Sequence, residues 1–235
     1  MVEIIPAIIP KDFSDLHDHL EQVAGIASLV QIDILDGTLV PIKSWPHIHT
    51  PDSDFQKIMM EEEGFPFWED IEYEFHLMVK DPSVYTQAWV TAGAKRMCVH
   101  YEAFESQEKI IAFASEFQGH FGRNGSLIGT DLGLVLNMET DVSVLPNIIE
   151  HFDYVQFMSI DTIGSHGMPF NTEVLGKIAE CRKAFGDLPI SVDGGVTLEN
   201  AKSLIDAGAD RLVVGGAIWN SNNILDTIEK FEDLG

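Results

Sequence analysis

Residues 31–37 read Gln31-Ile32-Asp33-Ile34-Leu35-Asp36-Gly37. Polar Gln31 and Asp33 alternate with Ile32 and Ile34. Successive side chains of an extended strand point to opposite faces, so both polar groups fall on one face. A carboxylate on an otherwise apolar strand is costly to bury unless a cation, a ligand or another charged side chain faces it. This strand is therefore expected to end in a site. Phe75-His76-Leu77-Met78-Val79 and Val192-Asp193-Gly194-Gly195 present the same combination later in the chain.

Outward from this run, short β-rich segments alternate with amphipathic helical ones. Strands are expected at residues 4–9, 29–35, 73–79, 96–102, 132–136, 154–160, 189–192 and 211–214. Helices are expected at 13–24, just after 51, at 82–93, 107–117, 142–152, 172–185 and 198–207. In the first helix Phe13, Leu16, Leu20 and Val23 recur at helical spacing, and Gly93 stands at a helix stop.

Alternating strands and helices call for a parallel sheet with right-handed crossovers, which leaves an open doubly wound sheet or a closed barrel. No GxGxxG follows the first strand and no GxxxxGK run occurs, so the open sheet lacks its nucleotide-binding signatures. Eight units in 235 residues match the closed form, with polar residues and glycines at strand exits, where barrel active sites form. The expectation is an α/β protein, a single-domain (β/α)8 TIM barrel over residues 1–235. The 37–51 connection is long and carries Pro41, Pro46 and Pro51 with Trp45, His47 and His49, the make-up of a candidate lid that can reach the site.

Charge narrows the partners. A formal charge of -24 repels phosphodiester backbones and anionic lipid, which argues against nucleic-acid and membrane-surface roles. The start, Met1-Val2-Glu3-Ile4, lacks a basic segment ahead of an apolar one, and no apolar run reaches spanning length, so a cytoplasmic protein is expected. Cys98 and Cys181 lack CxxC spacing and read as buried reduced thiols.

In a barrel, Gln31, Asp33, His76 and Asp193 come from the C-terminal halves of the second, third and seventh strands and can converge inward. Two carboxylates, one imidazole and one amide oxygen suit Zn²⁺, Mn²⁺, Fe²⁺ or Co²⁺ better than Ca²⁺. Two carboxylates across a substrate equally suit paired acid and base chemistry. The pairs Gly194-Gly195 and Gly215-Gly216 follow the seventh and eighth strands, where barrels hold phosphate. Backbone N–H groups there can make a locally positive field on an acidic protein. The 164–167 loop can cover the same group.

The runs Pro6-Ala7-Ile8-Ile9, Asp33-Ile34-Leu35-Asp36-Gly37 with Val40-Pro41, His76-Leu77-Met78-Val79, Ala92-Gly93-Ala94, Val192-Asp193-Gly194-Gly195-Val196 and Ala207-Gly208-Ala209-Asp210 resemble the ribulose-phosphate 3-epimerase family. They occur in family order along nearly the whole chain. The resemblance implies a 1,1-proton transfer that inverts C3 of a ketose phosphate, D-ribulose 5-phosphate to D-xylulose 5-phosphate, through an enediolate. It implies a divalent metal (Zn, Fe, Mn or Co), a small phosphorylated sugar as substrate, and a homo-oligomer.

Matched position by position, the resemblance makes Asp33 and Asp193 the acid/base pair and metal ligands, with His76 a further ligand and Gln31 where the family has its other histidine. It puts Ala7, Met78, Met158, Gly164, Ser165, Gly167, Gly194, Gly195, Gly215 and Gly216 against the substrate, and His100 and Asn137 at the pocket floor. Departures from the family pattern are Gln31 for histidine, Ala7 and Gly216 for serines, and the 161–167 sequence for an Asn-Pro-Gly-Phe-Gly-Gly loop. They motivate two alternatives: an epimerase or isomerase acting on a different sugar phosphate, and a metal-free phosphosugar-binding barrel without epimerase activity. A decarboxylase or aldolase ranks lower, because Asp-x-Lys-x-x-Asp and a Schiff-base lysine at a strand exit are both missing.

Overall fold

The structure, a computed structural model, describes residues 2–122, 129–164 and 167–235. Its strands are β1 (Glu3–Ile8), β2 (Leu29–Leu35), β3 (Glu72–Met78), β4 (Ala94–His100), β5 (Asp131–Leu136), β6 (Tyr154–Met158), β7 (Ile190–Asp193) and β8 (Arg211–Val214). They pair parallel in chain order, and β8 returns to β1 to close the expected eight-stranded barrel. Around it lie α1 (Phe13–Val23), α2 (Ser53–Met59), α3 (Ser83–Thr91), α4 (Gln107–His120), α5 (Val174–Phe185), α6 (Leu198–Ala207), α7 (Gly216–Trp219) and α8 (Ile224–Glu232). No helix among the described residues is long and apolar enough to cross a membrane.

Local signals account for the helix ends. The carboxylates of Asp12 and Asp52, the Ser106 hydroxyl and the Asn223 amide oxygen each accept a first-turn N–H, of α1, α2, α4 and α8 respectively. Thr197 and Asn200 form a capping box at the start of α6. The helix expected at 142–152 is instead two 3-10 segments, Val142–Asn147 and Ile149–His151. Pro146 lies inside the first and has no N–H to give an α-helical ladder. Both α7 and α8 extend the helical ring beyond the elements expected from sequence.

The alternation in β2 sorts two environments. Ile32 and Ile34 face outward and pack with Phe75, Leu77, Leu16 and Trp89 in the layer between barrel and helices. Gln31 and Asp33 face inward. Both strand faces are buried, so the polar face is a barrel interior and not a solvated surface. Cys98 and Cys181 are buried free thiols, as expected.

At the N-terminal end that interior is filled by ion pairs. The Arg96 guanidinium donates to Glu3 at 3.1 and 3.2 Å, Arg211 Nε lies 3.1 Å from Glu3 Oε2, and the Tyr154 hydroxyl donates to Glu74 Oε2 at 2.9 Å. Burial raises the Glu74 carboxyl against the lowering pull of Arg96 and Arg211. A Cβ at residue 133 would stand 2.3 Å from the Tyr154 ring, so Gly133 is what lets that ring enter the interior. With this end closed, the open C-terminal end is left for chemistry.

Candidate active site

Strand register brings the polar side chains together. The pairing of β2 with β3 sets Asp33 beside His76, and the pairing of β6 with β7 sets Met158 beside Asp193. Gln31 Nε2 donates to Asp33 Oδ1 at 2.8 Å and to Asp193 Oδ2 at 2.9 Å, and it lies 3.3 Å from His76 Nδ1. His76 Nδ1 is 3.2 Å from Asp33 Oδ1 and 3.4 Å from Asp193 Oδ2. One ligand atom from each of Asp33, His76 and Asp193 lies within 4.8 Å of the other two. The fold brings these four side chains together, across a separation of 162 positions between Gln31 and Asp193.

Electrostatics follow from this packing. Burial by itself would lower the His76 pKa, but hydrogen bonds to Asp193 and Asp33 and their negative charges overcome it and hold the imidazole up at about 9. His100, equally buried, is lowered by that burial. Asp193 Oδ2 also accepts from Gln156 Nε2 at 3.3 Å. The oxygens of both amides, Gln31 Oε1 and Gln156 Oε1, are buried without a hydrogen-bond partner among the described residues.

Above the cluster opens a cavity of about 590 Å³. Asp33 and Asp193 form part of its wall, while Gln31 and His76, both fully buried, sit beneath it. Ala7, Met78 and Met158 line its apolar side, and Gly164, Gly167, Gly194, Gly195, Gly215 and Gly216 line the rest of its expected wall. Ser165 and His166 lie outside the described residues. No Lys or Arg is found among the described lining residues, and Glu199 is present. Among the described residues, an anion in this cavity would be met by backbone N–H groups and neutral side chains.

Some of the site was missed in the sequence. Gln156 points inward between Tyr154 and Met158 on β6, and the period of two would have revealed it. Thr197, Asn200 and Asn220 line the cavity from loops and helix ends, where no periodicity marks them. Asn137 lies off the cavity. Its N–H donates to Glu102 at 3.0 Å and its carbonyl accepts from Lys177 at 2.7 Å.

The 37–51 connection, expected as a candidate lid, is anchored at its middle. Ser44 Oγ donates to the Asp33 carbonyl at 2.7 Å and accepts from Leu35 N–H at 3.0 Å. Trp45 is buried among Phe13, Phe55, Phe65 and Trp89, outside the barrel. His47 meets the Tyr85 ring edge-on, and none of Trp45, His47 and His49 lines the cavity. Trp45 and Pro46 are buried and hold the middle of the segment, while Pro41, Ile42, Ile48 and Pro51 stay exposed.

Comparison with known proteins agrees with this geometry. A model of the ribulose-phosphate 3 epimerase family matches residues 3–219. The ribulose-phosphate 3-epimerase of Bacillus subtilis is 32% identical over 95% of this chain and 94% of its own length. That of Schizosaccharomyces pombe is 29% identical over 94% and 88%. Among solved structures, a 3-hexulose-6-phosphate synthase superposes with a TM-score of 0.65 at 18% identity over 99% of both chains. The KGPDC of Streptococcus mutans gives 0.66 at 12% identity over 100% of this chain and 97% of its own. At such identities the structural likeness speaks for the barrel alone, whereas the family match spans the strands that carry Asp33, His76 and Asp193. The chain therefore belongs to the ribulose-phosphate 3-epimerase family, a family of isomerases.

Proposed function

We propose that residues 1–235 form one catalytic domain that inverts C3 of a ketose phosphate with the help of a divalent metal, converting D-ribulose 5-phosphate to D-xylulose 5-phosphate. One observation carries this reading: Asp33 and Asp193 approach a common centre with His76 at the base of a glycine-lined cavity. In the same reading the protein is a cytoplasmic homo-oligomer without nucleic-acid or membrane partners.

The residues present fit a metal. Two carboxylates and an imidazole are a borderline-metal donor set, and the unpartnered, buried Gln31 Oε1 is an acceptor adjoining it. Asp33, His76 and Asp193 would hold the ion, with Gln31 as a weaker fourth ligand. When bound, it supplies Lewis-acid stabilisation of the charge that develops on the substrate's C2 oxygen.

The chain's own groups do the rest. One carboxylate removes the C3 proton and the other, starting protonated, delivers a proton to the opposite face, so that configuration inverts and the proton count is restored. Asp193 is oriented for this by the contacts that converge on its Oδ2. Met78 and Met158, each almost fully buried, wall the reacting carbon against water with polarizable apolar surface. Phosphate binding falls to the backbone at Gly194, Gly195, Gly215 and Gly216, with Gly164 and Gly167 on the far rim.

Incubation with D-ribulose 5-phosphate in D₂O with added divalent metal is expected to give xylulose 5-phosphate carrying deuterium at C3. A panel of pentulose and hexulose phosphates tests the sugar, and absence of exchange with every one of them defeats the reading.

A further inference from the structure

Behind His76, on the side away from the carboxylates, a second imidazole continues the hydrogen-bond path. His76 pairs with Cys98 across β3 and β4, and His100 follows two residues later on the same inward face. His76 Nε2 and His100 Nε2 are 2.8 Å apart, with ring planes 17° from parallel and centroids 4.9 Å apart. His100 Nδ1 lies 3.4 Å from Glu102 Oε2. Glu102 sits in the 3-10 turn Tyr101–Ala103, and its other oxygen accepts from Asn137 N–H at 3.0 Å and from the Thr140 hydroxyl. Both histidines are fully buried.

Proton counting orders this path. Two imidazole nitrogens at hydrogen-bond distance share one proton. The Glu102 carboxylate only accepts, so the proton on His100 resides on Nδ1 and its Nε2 presents a lone pair. The shared proton then belongs to His76 Nε2, and His76 Nδ1 is the nitrogen directed at Gln31, Asp33 and Asp193. Histidines that serve metals commonly donate their second N–H to a carboxylate or carbonyl, which sets the tautomer and ring orientation. Here the carboxylate acts through an intervening imidazole.

We infer that His100 and Glu102 are positioning residues that together fix the proton on His76 Nε2 and present His76 Nδ1 to the Asp33 and Asp193 carboxylates. The inference rests on the proposed function in taking His76 as a member of the reactive site, but its proton assignment stands independently of turnover.

The test uses the full chain labelled with ¹⁵N-histidine. In the wild-type protein, multiple-bond ¹H–¹⁵N spectra should report His100 as the Nδ1–H tautomer, with an N–H···N coupling to His76 Nε2. In Glu102→Gln, the new amide can keep its oxygen toward Asn137 and Thr140 and turn its NH₂ to His100 Nδ1. That reverses His100 to the Nε2–H tautomer and leaves His76 with a proton on Nδ1 alone. Zn²⁺ affinity, read by competition with a chromophoric chelator, should fall about 10–100-fold. Glu102→Asp, which keeps an acceptor, should retain the wild-type tautomer and most of the affinity.

An Nε2–H His100 in the wild type overturns the inference, and so does a Glu102→Gln protein with unchanged tautomer and unchanged Zn²⁺ affinity. If Glu102→Gln does not fold, the wild-type and Glu102→Asp spectra decide. The tautomer pattern without isotope exchange on any ketose phosphate would uphold the positioning and defeat the epimerase reading. Exchange with the opposite tautomer would do the reverse.

Discussion

Gln31 Nε2 donates to Asp33 Oδ1 at 2.8 Å, joining side chains two residues apart on one face of β2. The same NH₂ reaches Asp193 at 2.9 Å, so a single neutral side chain bridges two carboxylates. Its oxygen, which would have to turn inward to ligate a cation, is buried without a partner among the described residues. Amide oxygen is also a poorer donor than imidazole to borderline metals. Gln31→His is therefore expected to bind Zn²⁺ or Co²⁺ more tightly than the wild type, by about tenfold or more, since turning the amide forfeits charge-assisted hydrogen bonds. A competition titration giving equal affinities would refute this.

Asp33 and Asp193 should separate by face. Asp33→Asn and Asp193→Asn are each expected to lower epimerisation by about 10²–10⁴-fold. The carboxylate that remains can still remove and return a proton on its own side. Each variant should consequently exchange solvent deuterium at C3 of one epimer and leave the other untouched. Identical exchange patterns from the two variants would mean that the carboxylates do not work from opposite faces.

The raised His76 pKa makes a prediction about stability. The value rises from 6.5 to about 9 because hydrogen bonds to Asp193 and Asp33 outweigh the opposing effect of burial. A cationic group whose folded pKa lies above its unfolded value stabilises fully below the unfolded value and loses that stabilisation as pH rises through the folded one. Chelator-treated protein should therefore lose resistance to urea between pH 6.5 and about 9, and His76→Gln should lack that slope. Equal slopes in the two proteins would place the linked proton elsewhere.

Two glycines of the cavity should respond differently to a methyl group. Gly194 has φ +109°, and a Cβ there would meet Ile160 Cγ1 at 2.8 Å, whereas one at Gly216 meets only Asn220 Nδ2 at 3.5 Å. Gly194→Ala is expected to cost about 1–3 kcal/mol through overpacking and backbone strain. Gly216→Ala should stay within about 0.5 kcal/mol. Denaturant midpoints measure both, and a larger loss in Gly216→Ala would reverse the assignment.

Much of the site was legible one strand at a time. The alternation in residues 31–35 put Gln31 and Asp33 on one face, and the same period in β3 placed His76 and Met78 together on another. These readings worked because side-chain direction in a strand is a local property of the chain. The 142–152 segment failed for an equally local reason: its apolar spacing suits a helix, but Pro146 removes a donor that an α-helix needs. The anchoring of the 37–51 segment was hidden for a non-local one, since its prolines and aromatics describe a loop's composition, not what the loop packs against. Only the helix layer around Trp45 determines that it is pinned.

By itself the sequence determined the eight strands, most of the helices between them, the inward positions of Gln31, Asp33 and His76, and the glycine-rich strand exits, all written in periods of a few residues. Tertiary structure alone decided that Asp33 lies beside His76, that Gln31 spans to Asp193, and that His100 and Glu102 stand behind the site. Closure sets the register of every strand against its neighbours, and register decides which inward groups come within hydrogen-bond reach.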